Sequence, residues 1–277
     1  MGRQSKHVLI TGATGGIGSE IAKHLAAEDF TLLITGRDQT RLNRLLCDLP
    51  GKGHSSLTAD LQNEDDIYRL VQTAQMEGVS VLVNCLGSGQ LSLLEDLNAS
   101  DVNQILKTNL EAPINVCRSL IPYFQTLPSA IIVNVGSILG SIGFAGSTLY
   151  CASKFGLRGF TEALRRELAD SQICIIYFAP RATNTSLNSA EMNEMNKQLG
   201  NKVDSAAEVA AQLTRIIIKG RPISRYLGWP ESFFVRLNSL FPRLVDQAVR
   251  KQLSVIKRFA KPAAELNSPM PISKRGD

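Results

Sequence analysis

Tyr150 and Lys154 stand four residues apart at the start of a stretch, residues 151–170, that reads as an amphipathic helix. That spacing projects both side chains from one helix face. A phenol ordinarily ionises near pH ~10, too high for easy proton exchange at neutrality. A neighbouring ammonium favours the phenolate and lowers that value. The pair is therefore suited to giving a proton to an oxygen that gains negative charge, as a carbonyl oxygen does on reduction. Ser137, thirteen residues before Tyr150, can hydrogen-bond the same oxygen and steady its charge. Taken singly, each residue has a plainer reading. An isolated Y-x-x-x-K is an exposed helix pair, Ser137 a turn serine and Asn109 a helix cap.

These residues need elements to hold them. Short apolar or β-branched runs at His7–Ile10, Thr31–Thr35, Ser55–Thr58, Val79–Asn84, Ala130–Val135 and Ile173–Phe178 read as strands buried on both faces. Helical stretches near residues 38–48, 63–77, 101–126 and 151–170 lie between them. The alternation predicts an α/β fold: a single-domain, doubly wound parallel sheet of Rossmann type with helices on both faces. The first strand runs into VLITGATGGIG, with a helix starting near Ile17. Gly12 permits the tight turn, Gly16 lets the backbone approach a pyrophosphate, and Gly18 allows the helix to pack closely on the strand. A glycine-rich turn alone is common, but a strand before it and a helix after it favour the nucleotide reading. At the tip of the second strand stands Thr35-Gly36-Arg37-Asp38. Gly36 takes the place where a carboxylate would grip a ribose, and the Arg37 guanidinium suits a 2′-phosphate. The expected cofactor is NADP(H). Asp38 fits either a ribose ligand or a helix N-cap.

With these motifs in order, the chain resembles the short-chain dehydrogenase/reductase family over about residues 7–228. The T-G-x-x-x-G-x-G loop, in which Thr14 and Ile17 also lie, is the nucleotide signature. Asp60 and Leu61 match the acidic residue beside the adenine and its neighbour. Asn84-Cys85-Leu86-Gly87 matches the segment usually written N-N-A-G, departing at its second and third positions. Asn109, Ser137, Tyr150 and Lys154 match the catalytic tetrad. The resemblance implies that Lys154 also holds the nicotinamide ribose and that Asn109 anchors a water linking Lys154 to solvent. Where relatives have P-G after the sixth strand, this chain has Pro180-Arg181, with Thr183 and Thr185 keeping the nearby hydroxyls. In relatives those hydroxyls cover the nicotinamide carboxamide and diphosphate. Arg181 is expected to restrict the loop and to place a charge near the pocket rim. The implied activity is hydride transfer from NADPH to a ketone or aldehyde, with Tyr150 as proton donor. The rival reading is a non-catalytic NADP-binding sensor or scaffold on the same fold.

The rest of the chain bears on substrate and partners. Residues 184–202 fall where relatives carry a substrate lobe; Leu187, Met192, Met195 and Leu199 either line an adaptable apolar pocket or pack the lobe on the body. Ser205-x-x-Glu208 offers a capping box, and Arg225–Gly228 a last strand. The catalytic domain is taken as residues 1–228, followed by a basic extension over 229–261 and an unstructured tail over 262–277. Residues 221–261 hold nine basic side chains against Glu231 and Asp246. From 231 onward they read as one amphipathic helix, or a pair broken at Pro242. Such a segment lies on an anionic membrane surface, on the enzyme body or on a second subunit. No stacking or groove-reading motif turns this charge toward nucleic acid. Homo-oligomerisation is common in relatives and is expected. The five cysteines form no C-x-x-C pair and the three histidines no zinc-like spacing, so no metal site is expected. The start has neither a signal-peptide core nor, with Lys6 at the sixth position, a myristoylation pattern. No apolar run approaches a membrane span of ~20 residues. The expected location is cytoplasmic, with membrane contact through the extension as one of these three readings.

Overall fold

The computed structural model describes residues 6–185 and 187–260. Seven parallel strands form one sheet: β1 (His7–Thr11), β2 (Thr31–Gly36), β3 (Ser55–Thr58), β4 (Val79–Asn84), β5 (Ala130–Val135), β6 (Ile173–Ala179) and β9 (Ile223–Tyr226). Their order is β3-β2-β1-β4-β5-β6-β9. Successive side chains of a strand point to opposite faces, and the sheet builds two cores that way. Val8, Ile10, Leu32, Ile34, Val81 and Val83 meet α1 (Gly16–Ala27) and α8 (Ala206–Lys219) on one face. Leu9, Leu33, Leu82, Ile132 and Ile175 meet α3 (Glu64–Met76), α5 (Ala112–Phe124) and α6 (Thr148–Glu167) on the other. The remaining elements of this body are α2 (Gln39–Asp48), α4 (Ala99–Leu106), α7 (Ala190–Gln198) and a two-strand ladder of β7 (Thr183–Asn184) with β8 (Asp204–Ser205). The chain leaves β1 for β2 and β3 on one side and returns to β4, β5 and β6 on the other. Such a reversal opens a crevice beyond the C-terminal ends of β1 and β4.

Three boundaries differ from expectation. The last strand is β9, Ile223–Tyr226, two residues earlier than 225–228, because Gly228 at φ +91° turns the chain away. The single helix expected over 101–126 is α4, a wider π-helical turn at Lys107–Glu111, and then α5, with Pro113 near its start. Beyond Pro230 come three helices, α9 (Glu231–Leu240), α10 (Pro242–Arg250) and α11 (Leu253–Ala260). Pro242 makes the first break as expected, since it begins a helix readily but cannot continue one. The capping box at Ser205 and Glu208 is present. The expected unstructured tail, 262–277, lies outside the described residues.

The extension is folded onto the body. Val235, Val245, Ile256 and Ala260 are buried, and α11 packs on α7. Trp229, Phe233, Phe234, Leu240, Phe241 and Leu244 remain exposed on α9, α10 and the turn before them. Among the described residues no helix is long and apolar enough to cross a membrane, and no cluster of His, Cys, Asp and Glu could hold a metal ion.

Candidate active site

Three of the sequence-singled residues converge beyond the C-terminal end of β5. Ser137 follows that strand directly, and Tyr150 and Lys154 occupy the first turns of α6. The Ser137 side chain is close enough to the Tyr150 hydroxyl to favour its ionised form. Lys154 is buried, its Nζ donating to the Val135 carbonyl at 3.1 Å and lying 5.8 Å from the centre of the Tyr150 ring. Tyr177, not foreseen as a contributor, is fully buried and donates its hydroxyl to the Ser137 carbonyl at 3.3 Å. The flat Gly136 lies on the Tyr177 ring, where a Cβ would collide with it. Nothing local in the sequence links Tyr177 to Ser137, forty residues earlier.

Asn109 sits in the π-helical turn, fully buried. Its Oδ1 accepts from Ser88 N at 2.7 Å, and its Nδ2 donates to Ser88 O at 2.9 Å and to Ser153 Oγ at 3.2 Å. It therefore clamps the loop after β4 to α6, next to Lys154. Gly87, on the same loop, leaves room for Lys154: an added Cβ would stand 3.5 Å from Nζ. A few residues on, both polar atoms of the Gln90 carboxamide are buried without a hydrogen-bond partner, while its carbonyl accepts from Ser147 Oγ at 3.2 Å.

The electrostatics correct one expectation. Burial pushes the Tyr150 phenol above its ordinary value, and Ser137 only partly opposes this. Lys154, 5.8 Å from the ring centre, is itself discouraged by burial from holding its charge. The strong effect falls on Lys154 itself, which burial lowers to about 8. Cys85 and Cys151 are also raised by burial, Cys85 to about 11, as inert packed thiols should be.

The glycine loop has the shape a dinucleotide requires. Gly12 has φ +65°, and a Cβ there would lie 2.8 Å from Leu86 Cα. A Cβ on Gly18 would collide with the Gly12 carbonyl, so α1 lies tightly against the turn. No side chain caps the N-terminus of α1, which leaves backbone N–H groups to face an anion. Gly16 is covered by Thr185, whose Cβ would lie 2.7 Å from an added Cβ. Thr183 donates to Arg181 O at 2.9 Å, Thr185 Oγ1 accepts from Leu187 N at 3.3 Å, and the Pro180 carbonyl accepts from Ile138 N at 3.0 Å. The 180–185 segment thus bridges the glycine loop and the Ser137 turn. Thr14 lies against Gly36, and its carbonyl accepts from Arg41 at 2.6 Å. Ile17 packs partly buried on the core. Arg37 is exposed at the tip of β2. Asp38 caps α2 by accepting from Arg41 N at 3.0 Å, so the capping reading holds. Arg41 itself was missed, because its partner is 27 residues away.

Other members of the expected cofactor set are engaged within the fold. Asn84 bonds Thr11 and Asn134 between strands at 3.4 and 2.9 Å, so its side chain ties the sheet and does not face the crevice. Leu61 is in the core, and the Asp60 carboxylate accepts from Gln62 N at 3.1 Å. Arg181 departs most from expectation. It pairs with Asp204 at 2.6 Å and Glu231 at 3.1 Å and donates to Trp229 O at 3.3 Å. Its charge is neutralised in a staple joining β8 to α9, not displayed at the pocket rim.

The turn from Ile138 to Ser147 joins Ser137 to Tyr150, and the extension grips it. Asn238 of α9 donates to Ser141 O at 2.9 Å. On α11, Ile256 and Ala260 close over Gly146, where an added Cβ would meet them at 3.1 and 3.4 Å and Leu91 at 3.1 Å.

A glycine turn at the switch point of a parallel sheet, with Ser, Tyr and Lys gathered past β5, defines a nucleotide-binding α/β protein of the oxidoreductase kind. The chain belongs to the short chain dehydrogenase family, whose model matches residues 6–196. It is 31% identical over 217 residues to nodulation protein G of Rhizobium sp., covering 74% of this chain and 88% of that protein. It is 32% identical over 191 residues to the 3-oxoacyl-[acyl-carrier-protein] reductase of Bos taurus, covering 68% and 80%. A solved short chain dehydrogenase from Burkholderia cenocepacia in complex with NADP superposes with TM-score 0.73 at 26% identity, over 83% of this chain and 98% of that one.

Proposed function

We propose that the chain reduces a ketone or aldehyde with NADPH, using Ser137, Tyr150 and Lys154. The observation that carries this reading is the convergence of Ser137, Tyr150 and Lys154 beyond β5, with the buried Lys154 Nζ 5.8 Å from the centre of the Tyr150 ring. When bound, the nicotinamide supplies the hydride. The chain's own residues do the rest. Ser137 and Tyr150 hold the carbonyl oxygen, and Tyr150, protonated because burial raises its pKa, gives that oxygen its proton. Lys154 offers the positive charge that steadies the phenolate left behind and a donor for the ribose. Asn109 fixes the loop and the lysine relative to each other, and it carries the expected proton-relay water.

The cofactor is cradled by Gly12, Gly16, Gly18 and the free N–H groups of α1, with Thr183, Thr185 and Gly87 around the nicotinamide end. Preference for NADP(H) is supported by Gly36, by exposed Arg37 and by Asp38 being engaged as a cap. The name of the bovine relative and the ligand of the Burkholderia structure support the same class of reaction and cofactor. The scaffold reading loses its main motive, since Arg181 is held away from the reacting groups. Tyr150→Phe is the test: NADPH oxidation over a panel of ketones and aldehydes should fall at least ~100-fold while NADPH binding persists. Equal turnover by the variant removes Tyr150 as the acid. Arg37→Ala should raise KM for NADPH and leave KM for NADH unchanged.

The catalytic domain is taken as residues 1–228, in a cytoplasmic homo-oligomer. The exposed Trp229, Phe233, Leu240, Phe241 and Leu244, among basic neighbours, support contact with an anionic membrane. Flotation with phosphatidylserine vesicles tests it; equal recovery of the wild type and Leu240→Ser/Phe241→Ser/Leu244→Ser ends that part of the reading.

A further inference from the structure

Arg181 carries a charge that the proposed mechanism leaves unused. All three of its guanidinium nitrogens are engaged. Nε and Nη2 donate to Asp204 Oδ1 at 3.0 and 2.6 Å, and Nη1 donates to Glu231 Oε2 at 3.1 Å and to Trp229 O at 3.3 Å. The Arg181 and Asp204 side chains are each 15% exposed and that of Glu231 25%, so water screens the pairs only in part. Gly228 makes room for them: an added Cβ there would stand 2.6 Å from Arg181 Cδ and 2.9 Å from Glu231 Oε2. A planar guanidinium gripped from two sides is held in one orientation.

The backbone at Arg181 begins the segment that bridges the glycine loop and the Ser137 turn. The Pro180 carbonyl accepts from Ile138 N at 3.0 Å, the Arg181 carbonyl from Thr183 Oγ1 at 2.9 Å and the Ala182 carbonyl from Asp204 N at 2.9 Å. Further along, Thr185 lies on Gly16, the first residue of α1. The ladder that ties this segment to β8 is two residues long, Thr183 and Asn184 on Asp204 and Ser205. A pairing that short is not firm by itself.

We propose that Arg181, gripped by Asp204 and Glu231, is a positioning residue for the cofactor: it holds Thr183 and Thr185 over the diphosphate and nicotinamide end and so sets how slowly the dinucleotide leaves. The inference rests on the dinucleotide part of the reductase reading and does not need turnover. A dinucleotide seated on Gly12, Gly16 and the N-terminus of α1 has Thr185 above it, so it leaves only when the segment lifts. Lifting the segment at Arg181 breaks charge-assisted hydrogen bonds to β8 and α9 together, and these are stronger than neutral ones. The adenosine 2′-phosphate, assigned to Arg37 past β2, is held without this segment.

The experiment uses the full chain and follows NADPH fluorescence in stopped flow while excess NADP+ displaces the bound NADPH. Arg181→Met keeps the aliphatic stem and removes the charge; Glu231→Ala removes the α9 arm from the other side. Each should raise the NADPH dissociation rate about 10-fold or more, the size expected when charge-assisted hydrogen bonds are lost. Affinity for adenosine 2′-monophosphate, which has neither diphosphate nor nicotinamide, should stay at the wild-type value. The double variant should release NADPH no faster than Arg181→Met alone, because the arm to Glu231 is already gone. A purely structural role would lower the melting temperature and leave dissociation from the folded protein unchanged. Wild-type dissociation rates in both folded variants therefore overturn the proposal. An equal loss of affinity for adenosine 2′-monophosphate overturns it too, since the whole crevice is then disturbed. If the wild type binds NADH alone, the same comparison is made with NADH and adenosine, and the same outcomes decide. A wild type that binds neither dinucleotide removes the cofactor reading and this proposal with it. Equal turnover by Tyr150→Phe, in contrast, sinks the role of Tyr150 and leaves this one standing.

Discussion

Lys154, the ammonium of the proposed mechanism, is held at a cost to the fold. Its ordinary value of 10.5 drops to about 8 because burial penalises the ammonium. Below pH ~8 the folded protein carries that penalty in full. As pH rises from about 8 toward 10.5, the folded state releases the proton before the unfolded chain does, and this group's penalty fades. Lys154→Met should therefore abolish turnover and raise stability at pH 7 by ~2–3 kcal/mol, seen as a higher denaturant midpoint. The same shift sets the pH–rate profile. Reduction should be flat below pH ~8 and fall above it, because the charged lysine is needed while Tyr150, raised by burial, keeps its proton. Lys154→Arg should move that falling limb upward in a plot of kcat/KM against pH. Gln90 burdens the fold in another way. Its partnerless buried amide weakens the fold, so Gln90→Leu should raise the melting temperature.

At the scale of elements, what could be read from the sequence depended on how local the cause was. The strands were legible because burial on both faces makes near-continuous apolar runs, and the capping box at Ser205 because both partners lie within four residues. Tyr150 and Lys154 were legible as a pair for the same reason. The π-helical turn was not, since Lys107–Glu111 has the composition of ordinary helix. Arg181 was misjudged because Asp204 and Glu231 are 23 and 50 residues away. The rise in the Tyr150 pKa was hidden too, because burial in the fold, not a neighbour in sequence, causes it. The Arg181 staple gives an element-scale prediction. Restoring the family glycine with Arg181→Gly should lower stability by ~1–3 kcal/mol, measured by urea unfolding. In a double-mutant cycle with Asp204→Asn the two losses should be less than additive.

The whole molecule divides into a sheet buried on both faces and a set of short helices laid on one end of it. Local opening should follow that division. In hydrogen exchange read by mass spectrometry, β1, β4 and β5 should be the last to exchange, and α9 and α10, with Phe233, Phe234, Leu240 and Leu244 exposed, among the first. Equal protection across both regions would show one cooperative unit instead.

The seating of Ile256 and Ala260 on Gly146 has a consequence for biosynthesis. A ribosome delivers the glycine loop well before these two residues. The nascent polypeptide can thus shape that loop while the turn around Gly146 still lies open to solvent. A message cut short upstream of codon 253 would yield a product in which that turn stays uncovered.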